Sequence, residues 1–467
     1  MRTSISLAYG ALLAVLLATV AAADAPHPLA SFRETARVPL GRAPTALAIG
    51  DLDGDGRADV VLVHDDDSVV TTLLGDGAGG LGTPRDLVVA PGLSGLAVGD
   101  LDRNGRADAV VSAPAAGTVF TLRSASDGGL AVIHTLHGPW TPGPLALGEL
   151  GGDPAPDLVA ADVFFQAIVV ALNLGLGAFQ FSGQSPGFPD PVALAFGDVD
   201  RDGIPDLGVA DGSSHAAAVL FGDGNGALPT RRDGAVAGRP VAIALGDMNR
   251  DGHDDVVVVT VARGTVAVLL GTPDGSLRPA IGSGVAKDPS GIALGDFDLD
   301  GILDAAVTDR TAGEILIWHG SGHGTFDGVA SFATGAGPSA LAVADMNGDG
   351  RADIVCANHD EHTVQVFVNT AHPAGPLLLA PPVPNPASTK CALSFLLAAG
   401  APVRVDIHDI HGALVRRLLP ERALPVGAHT VIWDGLTDGG RRAKSGLYFA
   451  RVHAGSAEAT TRIVLGR

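Results

Sequence analysis

Aromatic residues make up only 4% of this 467-residue chain, and it contains two cysteines. So few cysteines exclude a disulfide-built scaffold. Lysine and arginine together number 30 against 51 acids, a formal net charge of −21, so the chain lacks the basic face that nucleic-acid binding needs. The scarcity of aromatics argues against the ring platforms on which proteins commonly hold sugars. Long apolar runs are also rare. Beyond the first 23 residues no stretch is long and apolar enough to span a bilayer, and the apolar stretch 376–384 is interrupted by prolines. An apolar content of 46% with 17% charged residues still marks a globular chain, long enough for more than one domain.

The exception is the start. Residues 1–23 carry a basic Arg2, an apolar stretch at 12–20 and a small-residue site at Ala21-Ala22-Ala23. This is the pattern of a secretory signal peptide, too short and wrongly flanked for a membrane anchor. It predicts a protein without a transmembrane segment, located outside the cell or on the outer-membrane surface, where calcium is plentiful enough to fill weak sites.

What the chain has in abundance is aspartate at a fixed interval. An acid-rich loop begins at Asp51, Asp100, Glu149, Asp198, Asp247, Asp296 and Asp345, each 49 residues after the last. The first reads Asp51-Leu52-Asp53-Gly54-Asp55-Gly56-Arg57-Ala58-Asp59. Oxygen-bearing side chains stand at positions one, three, five and nine, and glycine at six permits a sharp turn. A hard cation of calcium's size wants six to eight oxygens at about 2.3–2.6 Å, which alternating acids on a curled loop can supply. Position seven varies freely, as expected of a residue offering only its backbone carbonyl.

The predicted calcium ligands are Asp51, Asp53, Asp55 and Asp59; Asp100, Asp102, Asn104 and Asp108; Asp198, Asp200, Asp202 and Asp206; Asp247, Asn249, Asp251 and Asp255; Asp296, Asp298, Asp300 and Asp304; and Asp345, Asn347, Asp349 and Asp353. The third copy loses its position-three side chain to Gly151 and its turn glycine to Pro154, so its site is expected to be empty or weak. Positions one, three, five and nine of the seven loops account for 24 of the 51 acids, so much of the charge imbalance is directed at metal. Asp/Gly loops also make good turns without metal, but turn chemistry does not require oxygens at these four positions in copy after copy. An EF-hand begins the same way yet needs a glutamate at position twelve; here stand Leu62, Val111, Ala160, Val209, Val258, Val307 and Cys356.

Each loop leads into an apolar, often β-branched run such as Val60-Val61-Leu62-Val63, the signature of a buried strand. In the first period strands are predicted over 46–50, 59–63, 69–74 and 85–89, with a glycine-rich turn at 75–80 before the last. Four short strands per repeat, arranged radially, describe a propeller blade. The strand before each loop is rich in alanine and glycine, which lets inner strands crowd around an axis. The last period stops after its third strand, at 363–368, while an orphan strand at 36–40 matches the fourth-strand position. Joining the two closes seven blades into a ring with no long free edge.

After Asn369 a proline-rich linker (371–386) ends the period. A separate segment (387–467) shows candidate strands at 403–407 and 448–452 with turns at 409–412 and 438–440, suggesting a small β-sandwich. Cys356 aligns with apolar strand residues of the other repeats and reads as a buried thiol, with a bridge to Cys391 or a reactive role as the alternatives.

The loops, with turns such as Leu220-Phe221-Gly222-Asp223-Gly224-Asn225-Gly226, resemble the FG-GAP/VCBS-type calcium-binding propeller repeats over residues 30–370. Pro384-Asn385-Pro386, Trp433-Asp434-Gly435, Ser445-Gly446-Leu447-Tyr448 and Thr461-Arg462-Ile463-Val464-Leu465 resemble the Ig-like C-terminal domains related to the flagellar hook-capping protein and to type IX sorting domains. The first resemblance implies an all-β, seven-bladed calcium propeller with a binding or adhesion role toward a protein or glycan partner. The second implies a tail read by export machinery or used for surface attachment. Some relatives of the repeat are carbohydrate-binding or carbohydrate-active, which is the alternative function.

The unbroken period argues against an enzyme, because catalytic loops on a repeat scaffold are often insertions. His319, His323, His359, Asp360 and His362 sit near glycines or acids and read as turn residues without a metal or catalytic role. Trp140, Phe164, Phe165, Phe179 and Phe181 gather around the repeat with the degenerate loop, as either a partner patch or packing between blades.

Overall fold

The computed structural model describes residues 30–466 apart from 65–67, 262–263, 285, 372–376, 380–381, 383–386, 388–389, 398–399, 426 and 456. The expected signal peptide at 1–23, most of the linker and Pro384-Asn385-Pro386 lie outside the described residues.

Seven four-stranded antiparallel sheets form the blades of a β-propeller. The first blade runs Ala46–Gly50, Asp59–His64, Val69–Leu73 and Arg85–Val88, within a residue of the expected bounds. In six blades the second strand is buried along its whole length, and in the fifth along all but its last residue, Val261, as an apolar run between two covered faces should be. The outer strand is largely exposed.

Small residues on the inner strands allow close approach. A Cβ added to Gly50 would lie 2.7 Å from Val98 of the next blade, and one added to Gly197 would meet Leu245 at 2.7 Å.

The ring closes through its two ends. Phe32–Pro39 pairs antiparallel with Thr363–Asn369, from Phe32 opposite Asn369 to Pro39 opposite Thr363, as the outer strand of blade seven. The Phe32 ring stacks on Phe332 at 4.9 Å and meets Phe297 edge-on at 5.7 Å.

The C-terminal domain is a sandwich of a three-stranded and a four-stranded sheet. Its core centres on Trp433, fully buried, with Tyr448 edge-on at 5.1 Å. The Trp433 indole N–H donates to Leu436 O at 2.9 Å and Leu436 N–H to Asp434 Oδ1 at 3.0 Å, so Trp433-Asp434-Gly435 is a strand end tied to its own turn. One expectation needs correcting. Leu377–Leu379, inside the stretch read as linker, is a strand paired with Cys391–Leu397, because Leu377 is buried in the sandwich core and Leu379 packs against it. Cys356 and Cys391 are both free and buried, and burial pushes the Cys356 thiol up, away from reactivity.

Candidate metal centres

The loops curl because their own side chains bind their backbone. In the first, Asp51 Oδ1 accepts the N–H groups of Gly54 (2.8 Å) and Asp55 (3.1 Å), and its Oδ2 accepts that of Gly56 (2.8 Å). Asp100, Asp198, Asp247, Asp296 and Asp345 repeat the bonds to positions five and six. No such bond is made by Glu149 among the described residues, so the third loop departs in structure as in sequence. Position five is turned toward the loop itself: Asp55 Oδ1 accepts from Arg57 N–H at 2.9 Å and Asp202 Oδ1 from Ile204 N–H at 2.8 Å.

Position nine has a second role that spacing did not disclose. Asp59 Oδ2 accepts Leu52 N–H and its Oδ1 accepts Gly75 N–H, both at 2.8 Å. It thus pins the loop's second residue to the turn of the following hairpin. Asp157, Asp206, Asp255, Asp304 and Asp353 make the same pair of bonds. In the second copy Asp108 Oδ1 accepts from Ser124, while Oδ2 has no hydrogen-bond partner. Aspartate at position nine therefore persists in the third copy, Asp157, for a reason independent of metal. Position two is an apolar plug, with Leu52, Leu101, Val199, Met248 and Phe297 fully buried.

The structure brings together some of the expected ligands. Carboxylate oxygens of Asp51, Asp53 and Asp59 lie within 4.8 Å of one another, as do those of Asp100, Asp102 and Asp108, those of Asp198, Asp200 and Asp206, and those of Asp296, Asp298 and Asp300. Position five joins such a set only in the sixth copy. Copies five and seven carry asparagine at position three, and the amides of Asn249 and Asn347 donate to Asp251 and Asp349 at 3.0 Å. Asn104 Oδ1 accepts from Arg106 N–H at 2.9 Å.

Burial makes these acids resist ionisation. It pushes Asp206, Asp296 and Asp353 up to about 6 and Asp255 up to about 7, neighbouring loop carboxylates adding to the rise while backbone N–H bonds oppose it. The residues fit a cation by one direct sign: buried oxygens of Asp102, Asp108 and Asp298 have no hydrogen-bond partner. Orphaned carboxylate oxygens gathered within a few ångströms match the hard, oxygen-only donor set that calcium takes. In the third loop Arg103 of the preceding blade reaches Asp153 at 2.8 Å.

A model of the FG-GAP-like repeat matches residues 31–111, 150–209, 198–258, 247–307 and 296–356. The chain belongs to the FG-GAP-like repeat family. The FlgD Ig-like domain matches residues 386–458, which covers most of the sandwich. No curated protein sequence matches this FG-GAP repeat chain. Among solved structures it is similar to BBS1N, crystallised in complex with ARL6DN, with a TM-score of 0.53 and 12% identity over 72% of this chain and 96% of that one. A protein from Lactobacillus plantarum aligns with a TM-score of 0.50 and 18% identity over 64% and 86% of the two chains. At such identities the likeness is one of fold alone.

One further placement differs from expectation. His319, read as a turn residue, stands buried in the strand Glu314–Gly320. Its Nδ1 lies 3.4 Å from Asp298 Oδ2 and 3.9 Å from Asp304 Oδ1. The aromatic cluster divides in two. Trp140 is buried, with its indole N–H donating to Gly117 O at 2.9 Å, and the Phe181 ring meets it edge-on at 5.1 Å. Phe164 and Phe165 are 71% and 51% exposed on the turn after Asp162, whose Oδ1 accepts both their N–H groups. Strand direction places that turn at the opposite end of the blade from the aspartate loop. Beside it lies a groove of about 360 Å³ lined by Trp140, Phe165, Val169 and Phe181.

Proposed function

We propose that this FG-GAP propeller is a secreted or cell-surface, non-enzymatic binding module whose aspartate loops are braced by calcium. The observation that carries the reading is the convergence of loop carboxylates within 4.8 Å, one of each set buried and the others half-buried, some of their oxygens without hydrogen-bond partners. Like charges held that close repel unless protonated or neutralised by a cation. Calcium at this place is structural: it would hold the loop that connects the innermost strand to the buried second strand.

The contact surface in this reading is the end of blade three opposite its loop, where Phe164 and Phe165 stand in solvent beside the groove. Apolar side chains so exposed, next to a half-open apolar groove, suit a protein or glycan partner at the cell surface. The Ig-like domain fits a role in export or surface attachment.

The deciding experiment is a thermal melt of the mature protein with calcium and with chelator, paired with a count of bound metal. About six ions and a large loss of stability on chelation support the reading, since each site filled at a hundredfold excess over its Kd adds about 2.7 kcal/mol. No bound ion and an unchanged melt would reduce the loops to turns. For the surface, alanine at Phe164 and Phe165 should abolish capture of a surface partner while leaving the melt unchanged. Unfolding of that variant would assign both residues to packing.

A further inference from the structure

One hairpin position recurs in every blade, immediately before the residue whose N–H bonds the position-nine aspartate. It is Leu74, Arg123, Leu172, Phe221, Leu270, His319 and Val368 in turn. Five of these are apolar and lie against a turn glycine of the next blade: Leu74 at Gly128, Leu172 at Gly226, Phe221 at Gly275, Leu270 at Gly324 and Val368 at Gly79. Arg123 instead points its Nε at Asp102 Oδ2, 3.1 Å away. His319 likewise turns its Nδ1 toward the position-three carboxylate, 3.4 Å from Asp298 Oδ2.

His319 is 2% exposed; its Nε2 has no hydrogen-bond partner, and its Nδ1 faces Asp298 Oδ2 at 3.4 Å without closing to a hydrogen bond. Asp298 Oδ2, equally buried, makes no hydrogen bond beyond this long approach. Leaving these polar atoms unpaired away from water is costly. The separations are informative. At 3.4 and 3.9 Å from the two carboxylates, Nδ1 is beyond the ~2.7–2.9 Å of a charged hydrogen bond. Two ligands each about 2.0–2.2 Å from a shared ion, at a tetrahedral or wider angle, stand roughly 3.3–4.0 Å apart. One ligand atom each of Asp298, Asp304 and His319 lies within 4.8 Å of the others.

We propose that Asp298, Asp304 and His319 form a metal site distinct from those of the other blades, holding one divalent transition-metal ion of the zinc or cobalt class in preference to calcium. Imidazole nitrogen suits such ions, whereas calcium takes oxygen ligands. The proposal rests on the cation-binding reading of the loops for Asp298 and Asp304 and adds His319 as the selecting ligand. The competing arrangement is a protonated His319 serving as an internal cation, as Arg123 does for Asp102, and it binds no metal here.

The test is a metal count on the mature full-length protein equilibrated with zinc in the presence of excess calcium, then dialysed against calcium alone. One zinc per chain is expected to remain in the wild type. His319→Leu should be tolerated, since leucine holds this position in three other blades, and should retain none. Asp298→Asn, nearly the same size, should weaken zinc at least tenfold. Cobalt in place of zinc should give a visible absorption that His319→Leu abolishes. Equal zinc in wild type and His319→Leu, or none in either, overturns the proposal. The calcium count of the same samples reports separately on the remaining loops, so calcium bound without zinc defeats this site alone.

Discussion

The carboxylate of Asp157 accepts the backbone N–H of Asn173 at 2.8 Å, reaching across a hairpin to a residue sixteen positions downstream, and accepts that of Leu150 at 3.0 Å. This happens in the loop that has lost its turn glycine and its position-three side chain. The bracket outlasts the metal motif.

Asp157→Ala should therefore destabilise the protein by about 3 kcal/mol with or without calcium, because it strands two buried N–H donors. Asp157→Asn, which keeps one acceptor, should lose roughly half as much. Urea denaturation in calcium and in chelator measures both. A loss seen only in calcium would mean that the third loop holds an ion after all.

Acidification should stabilise the chelated protein. Asp206, Asp296 and Asp353 are raised to about 6 and Asp255 to about 7, above the value near 4 of an unfolded aspartate. Between those values the folded state binds more protons than the unfolded one, so stability falls as pH rises. The calcium-free melt should move upward from pH 8 to pH 5, and added calcium should oppose that trend by favouring the ionised carboxylates. A calcium-free melt that rises from pH 5 to 8 would contradict it.

Arg123 should weaken the second calcium site by competing for Asp102. Arg123→Leu should raise calcium affinity there roughly five- to tenfold, the scale expected of one partly screened charge a few ångströms away. Calorimetric titration of the variant should show a tighter class of site, and an unchanged isotherm would mean that Arg123 does not face the ion.

Phe32→Ala should test the closing strand. Its ring lies against Phe332 and Phe297, and truncating a half-buried phenylalanine costs about 2–3 kcal/mol. Because the lost contact holds the ends of the ring together, the cooperative transition should also broaden in a denaturant melt.

Much of this fold is legible in the residues. A strict 49-residue interval makes each blade corroborate the others, and the orphan strand could be assigned because blade seven lacked a partner for Thr363–Asn369. What escaped was pairing across a hairpin. Asp59 and Gly75 are neighbours only once two strands have registered, so position nine looked like a ligand and nothing more. His319 was obscured by the glycines around it. Its alignment with Leu74, Leu172 and Leu270 was the available signal, placing it on a strand rather than in a turn. Likewise, burial separated Trp140 from Phe164 where proximity in sequence had joined them.

Ring closure sets an order of events. Phe32–Pro39 leaves the ribosome before any blade exists, yet its partner Thr363–Asn369 follows the rest of the propeller. Within the propeller the earliest of the described strands is thus the last to be paired, and the seventh blade is complete only when nearly the whole propeller has been synthesised. Such non-local pairing is slow, and until it forms both edges stay open to other chains. Assembly of the circle is therefore an event that follows synthesis, and a chain crossing a membrane unfolded would complete it on the far side.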